Sequence, residues 1–144
     1  MWFDLQDLIT PHDLTSLEEP FTQLEIDDII KFMPNDKSPG PIGFNGYFMK
    51  KFWNIIKFQF YTLCSRFHSG ELDIDSINTA YIALIPKISN PMKPYDFRPI
   101  SLVSMALKIL TKLIANRIQN IIIPIVSTNQ YGFIKSRSIQ DCLA

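Results

Sequence analysis

The sequence is poor in cysteine, in glycine and in uninterrupted apolar runs, and each shortage closes off a class of protein. Only Cys64 and Cys142 occur in 144 residues, with no Cys-x-x-Cys pair and no Cys/His cluster. A zinc site is therefore not expected, and a reducing compartment fits. Cys64 lies in an apolar helical pattern and reads as a small buried hydrophobe. There are five glycines and no Gly-x-x-x-x-Gly-Lys-Ser/Thr spacing, which removes the phosphate loop of nucleotide triphosphatases. No window approaches 18 uninterrupted apolar residues, so no membrane span is expected. The start, Met1-Trp2-Phe3-Asp4, lacks the basic and apolar regions of a signal peptide.

Lysine and arginine are missing altogether from residues 1–30, which hold eight acids. The rest of the chain has all 14 basic residues against the other six acids, so a formal net charge of zero hides a body of +8. A basic body suits a polyanionic partner such as nucleic acid. With 47% hydrophobic and 19% charged residues, the composition is that of one globular domain or part of one.

Read in order, residues 1–20 form an acidic arm or linker, interrupted by Pro11 and Pro20, with room for one helical turn. Thr22-Gln23-Leu24-Glu25 is a capping box, with Phe21 and Ile26 at the staple positions. Asp27 and Asp28 add negative charge where the helix dipole favours it. This helix is predicted to run to Met33 and stop before Pro34. Residues 35–43 hold two glycines and two prolines and form a turn. A second helix is predicted over 46–68, with an aromatic stripe of Phe48, Phe52, Ile55 or Ile56, Phe60, Leu63 and Phe67 toward the core and Gly70 at its end. Asp73 and Asp75 would share a face of a strand, but Ser76, Asn78 and Thr79 make the segment a loop, not a two-metal site.

The organising stretch is 80–115, read as strand, loop, strand and helix. Tyr81-Ile82-Ala83-Leu84-Ile85 is an apolar run closed by Pro86, and Asp96-Phe97-Arg98-Pro99-Ile100-Ser101-Leu102 is the second strand. Lys87 leaves the first strand and Arg98 sits in the second. They either aim two cations at one anionic group or remain solvated on a surface hairpin. A long helix over 102–123 follows, capped by Ser101 or Ser104 and ended by Pro124. Leu107, Leu110, Leu113 or Ile114, Ile118 and Ile121 make its apolar stripe. Lys108, Lys112 and Arg117 flank that stripe, either on a nucleic-acid backbone or in solvent. Residues 130–138 form a loop, and Ser138-Ile139-Gln140-Asp141 reads as another capping box with only three residues after it. A capped start without room for its helix is expected of a truncated domain.

Three blocks carry a family resemblance. Asp36-Lys37-Ser38-Pro39-Gly40-Pro41-Ile42-Gly43-Phe44-Asn45, the strand pair from Tyr81 through Lys87 to Leu102, and Asn129-Gln130-Tyr131-Gly132-Phe133-Ile134-Lys135-Ser136-Arg137-Ser138 resemble successive motifs of reverse transcriptases from non-LTR (LINE-type) retrotransposons. Two positions depart from the family pattern. Ile42 stands where the family usually has an acid that could cap the next helix, and Ser136 stands where it has a glycine.

The resemblance implies a helix-rich α+β fold, part of a right-hand polymerase with a short antiparallel fingers hairpin, interrupted before the catalytic palm. It places the acidic arm at 1–20 and the partial reverse transcriptase domain at 21–144. It assigns Lys87 and Arg98 to the triphosphate of the incoming nucleotide, and Gln130, Gly132, Phe133 and Arg137 to the template and nucleotide path. It implies RNA template, DNA primer and deoxynucleotide partners, Mg2+ in the full-length enzymes, and an intracellular setting in nucleus or cytoplasm. The family's catalytic aspartates belong to motifs beyond residue 144, so the segment is expected to be inactive alone. A non-catalytic basic nucleic-acid-binding module and a pseudogene product are the alternatives.

Overall fold

The computed structural model describes residues 11–127, 129–132, 134, 137, 138 and 140. Its elements are α1 (Pro11–Glu18), α2 (Gln23–Phe32), α3 (Gly46–His68), β1 (Ala80–Pro86), β2 (Phe97–Val103) and α4 (Met105–Ile125). The described residues are helix-rich with one two-stranded antiparallel sheet. It divides into two compact units, one of Phe21–Thr111 and one drawn from Met1–Pro20 and Lys112–Ala144.

In the second unit α1 is an eight-residue helix that includes Pro11, longer than the single turn expected of the arm. On α4, Arg117 donates to the main-chain carbonyls of Glu19 and Pro20, where α1 has just ended.

The first unit begins with the capping box. Thr22 Oγ1 accepts from the Glu25 N–H at 3.2 Å, and the Glu25 carboxylate accepts from the Thr22 N–H at 2.8 Å. Ile26, Ile29 and Ile30 bury one side of α2. Asp27 does more than meet the helix dipole: its Oδ1 accepts from Trp53 Nε1 at 2.7 Å and from the Tyr61 hydroxyl at 2.6 Å, both on α3. This cross-tie satisfies the two aromatic polar atoms that α3 brings against α2.

Asn45 caps α3, its Oδ1 accepting from the Phe48 N–H at 2.9 Å. Ile42, 61% exposed, therefore leaves that cap intact although it cannot supply it. At the other end Ser69 is the cap, and Gly70 follows it with φ +74°. The fully buried positions of α3 are Gly46, Met49 and Cys64, whereas the expected stripe is half-buried at Phe48, Ile56, Phe60, Leu63 and Phe67 and exposed at Phe52. Phe44 stacks on Phe48 with centroids 4.2 Å apart, and Phe52 meets Phe48 at a tilt, 4.7 Å between centroids. Burial pushes the Cys64 thiol up to about 11, in keeping with a packing role.

The long C-terminal helix also starts and ends later than its pattern suggests. Strand β2 takes Leu102 and Val103, so α4 begins at Met105 and passes Pro124 by one residue. A proline in the last turn removes one main-chain bond near an end that frays in any case. The buried residues are Met105, Ala106, Ile109, Leu110 and Leu113, which keep Leu110 and Leu113 of the expected stripe, while Leu107 is half-buried and Ile118 is 40% exposed.

The base of the hairpin is held at one junction. Ser104, 1% exposed, donates to the Ile77 carbonyl at 2.8 Å and accepts from the Leu107 N–H at 3.3 Å. Gly40 lies against the end of β2, where an added Cβ would stand 2.2 Å from the Val103 carbonyl oxygen. Lys108 Nζ donates to the Ser38 carbonyl at 3.1 Å, pinning the same turn. The turn's unusual φ belongs to Gly43 at +81°, around which space is open.

Two outcomes follow. In urea denaturation Gly40→Ala is expected to lower stability by about 3 kcal/mol, because backbone must shift. Gly43→Ala, which meets only an unfavourable φ, is expected to lower it by about 1 kcal/mol. Desolvation, then the hydrogen bond and charge of Asp27, push the Tyr61 phenol up to about 12 from 10.0. The neutral phenol is thus favoured by folding, a contribution present below pH 10 and lost as pH rises toward 12. Ultraviolet titration should show one late-ionising tyrosine that Tyr61→Phe removes.

Candidate functional site

Strands β1 and β2 pair with Ala80 opposite Val103, Ile85 opposite Arg98 and Pro86 opposite Phe97. The Lys87 N–H donates to the Asp96 carbonyl at 2.7 Å, extending the ladder by one pair. Because side chains alternate along a strand, Ile85, Lys87, Asp96 and Arg98 belong to one face. Lys87 and Arg98 are diagonal neighbours across the pair, a separation of roughly 7–8 Å between Cα positions that both long side chains can bridge. The register thus puts Lys87 and Arg98 on one face of the hairpin.

The loop between the strands is built by Asp96. Its Oδ2 accepts from the Met92 and Lys93 N–H groups at 2.9 and 2.8 Å, and its own N–H donates to the Lys93 carbonyl. Lys87 Nζ donates to the Tyr95 carbonyl at 2.7 Å, which leaves two of the ammonium's three donors. Arg98 is exposed, and none of the described contacts engages its guanidinium. Lys93 Nζ lies 5.5 Å from the centroid of the Tyr95 ring. The hairpin end is therefore a cationic surface with one partly committed ammonium and one unengaged fork.

The second group of residues belongs to the other unit. Gln130 and Gly132 are exposed, and Gln130 Nε2 donates to the Gly132 carbonyl at 3.2 Å. Phe133 lies outside the described residues, as do Lys135, Ser136, Ile139, Asp141 and Cys142. Arg137 is half-buried and donates to the carbonyls of Ser127, of Gln130 at 2.8 Å, of Val126 at 3.1 Å and of Ile123 at 3.4 Å. It closes the C-terminal end of α4, where unpaired carbonyls attract a cation. Sequence reasoning missed this use; the signal was an arginine shortly after a helix that ends without a glycine cap.

Among the described residues no group of three or more His, Cys, Asp or Glu side chains could hold a metal ion. Asp73 caps a short turn through the Asp75 N–H, Asp96 holds its loop, and Asp27 holds two aromatic donors. The carboxylates described here do not fit an Mg2+ pair.

Arg137→Lys keeps the charge and loses the planar fork. It is expected to lower stability in urea denaturation by about 1–3 kcal/mol, since bonds from a charged donor to several carbonyls are lost.

Comparison with known proteins bears on this geometry directly. Residues 85–144, which begin at the end of β1, match the family described as reverse transcriptase (RNA-dependent DNA polymerase). The chain is also 32% identical over 126 residues to the transposon TX1 uncharacterized 149 kDa protein of Xenopus laevis, a match covering 87% of this chain and 10% of that protein. The chain thus spans about a tenth of the length of that relative. With the three motifs in family order and a transposon protein as relative, the chain belongs to the reverse transcriptases of non-LTR retrotransposons, of which it represents a segment.

Proposed function

We propose that this segment supplies the fingers and the palm entrance of an RNA-directed DNA polymerase, with residues 21–144 as its partial domain and the acidic residues 1–20 outside it. The observation that supports this reading best is the register of the hairpin, in which Lys87 and Arg98 share a face at the exposed end of two strands. A nucleotide triphosphate carries charge that fixed cations neutralise, and that charge grows on the transferring group in the transition state. Arg98 can offer its fork to one phosphate while Lys87 offers a point charge to the next. Gln130, Gly132, Phe133 and Arg137 line the template and nucleotide path in this reading, and Arg137 acts there as a positioning residue through the carbonyls it holds.

The partners are then an RNA template, a DNA primer and deoxynucleotides, in nucleus or cytoplasm. The metal-binding aspartates of the family belong to motifs that this segment does not include, so nucleotide addition requires them from elsewhere in a longer polypeptide. The competing reading, a basic module that holds nucleic acid without chemistry, predicts phosphate-backbone affinity and no selectivity for triphosphates.

The test uses the purified chain and a fluorescent deoxynucleoside triphosphate. Binding should weaken about tenfold or more on Lys87→Ala or Arg98→Ala, the loss of one charge-assisted contact, and diphosphate should bind more weakly than triphosphate. Primer extension by the chain alone should yield no product. Equal affinity of both variants and the parent for triphosphate would overturn the assignment, and single-stranded RNA binding that falls steeply with salt in the same variants would favour the binding module.

A further inference from the structure

Helix α3 has a second face that the core does not use. The helix carries Lys50, Lys51, Lys57 and Arg66 and contains no Asp or Glu from Gly46 to His68. At 3.6 residues per turn, Tyr47, Lys51, Asn54, Phe58, Thr62 and Ser65 fall on one stripe, and all six are exposed. Tyr47 and Phe58 are 57% and 64% exposed, and Ile55, 71% exposed, flanks the stripe. The two rings lie about three turns apart, roughly 16 Å along the axis.

Each ring has its own cation. Lys51 Nζ lies 5.8 Å from the centroid of Tyr47, and Lys57 Nζ lies 5.6 Å from that of Phe58. None of the described hydrogen bonds or ion pairs engages Lys50, Lys51 or Lys57, so their donors remain available, unlike those of Lys108 and Arg117. Further along, Thr62 and Ser65 line a cavity of about 360 Å³ together with Arg66 and with Phe21 and Gln23 at the start of α2. Arg66 gives one donor to the Glu71 carbonyl at 3.1 Å and keeps the others.

The alternation decides what can lie on this face. A surface that packs on another protein element is a continuous apolar stripe. Here Lys51 and Asn54 separate the two rings, and Thr62 and Ser65 follow them. Rings set among cations, with no acid on the helix, match a chain of flat bases joined by phosphates. We propose that this face binds single-stranded nucleic acid. One base stacks on Tyr47 and another on Phe58, the ammonium groups of Lys51 and Lys57 meet the phosphates beside them, and Arg66 takes a phosphate at the cavity. A duplex keeps its bases stacked on one another and cannot offer their faces. The proposal rests on the reading of the chain as part of an RNA-directed polymerase, and adds a surface on a helix that the hairpin chemistry does not use.

The experiment is fluorescence anisotropy of the whole chain with a labelled single-stranded oligouridylate across a salt series. Tyr47→Ala and Phe58→Ala should each weaken binding about fivefold or more, the loss of one base stack, and leave the salt slope unchanged. Lys51→Ala combined with Lys57→Ala should lower that slope by about 1.4, two phosphate contacts at about 0.7 each. Tyr47→Phe keeps the ring and should bind as the parent does. Triphosphate binding should stay at the parent level in all these variants, whereas Lys87→Ala changes it, so the two readings fail separately. Unchanged RNA affinity in both ring variants would overturn the proposal, as would equal affinity for a duplex of the same length. A loss confined to the lysine variant would show charge without stacking and overturn it as well. Ring variants that dissolve a dimer in sedimentation while RNA affinity stays intact would put a second copy on this face instead.

Discussion

The buried hydroxyl of Ser104 is the point on which the hairpin depends. It donates to Ile77, just before the first strand, and accepts from the first turn of α4, just after the second. One oxygen thereby ties the entry of the strand pair to its exit and to a helix whose Ile109 and Leu110 are in the core. A two-stranded sheet with both faces exposed has little stability of its own. Its position is borrowed from that junction, and the turn around Gly40 completes the support by packing on the Val103 carbonyl with no room for a side chain. The motif built around Gly40 and the motif built around Arg98 are therefore two halves of one mechanical unit.

The basic residues divide into two kinds, which changes how the charge of the chain should be understood. Lys108 and Arg117 hold main-chain carbonyls, and Arg137 holds several. Lys87 does so with part of its capacity. A guanidinium engaged in this way still contributes to the long-range field but has fewer donors left for phosphate. The surplus of positive charge beyond residue 30 thus overstates the cationic surface available to a polyanion. Arg98 stands out among the arginines: Arg66 also holds a carbonyl, that of Glu71, whereas no described contact engages the Arg98 guanidinium.

Local chemistry was the most legible part of the sequence. The capping box at Thr22, the extent of α3 and the strand–loop–strand order were all visible, because each rests on residues close together in the chain. What depended on distant partners was not. The α3 aromatics were assigned to the core, yet the helix's fully buried side chains are Met49 and Cys64 and the stripe is half-buried or exposed; periodicity finds a helix but does not say which side the rest of the chain will cover. Asp27 was assigned to a dipole and serves two side chains on another helix. Pro124 was taken for a stop yet lies inside the last turn of α4, since a proline's effect depends on its place in the turn. The shared face of Lys87 and Arg98 could be foreseen from strand alternation, whereas the commitment of Arg137 to carbonyls could not, because those carbonyls have no signature in sequence.

Pro86 and Pro99 both take outward positions in the register, where no ladder bond is lost, and this has a consequence for how the hairpin finds its alignment. Most sheets are kept in step by a buried face, because a slip of one residue would turn the wrong side chains inward; here no face is buried enough to impose that discipline. The missing N–H of proline takes over the task. Sliding either strand by a single position would swing one proline or the other into the bonded seam, where its ring nitrogen has nothing to give. The two rings act as a ratchet that admits this alignment and rejects its immediate neighbours, so the spacing between Lys87 and Arg98 is set by backbone chemistry and not by packing.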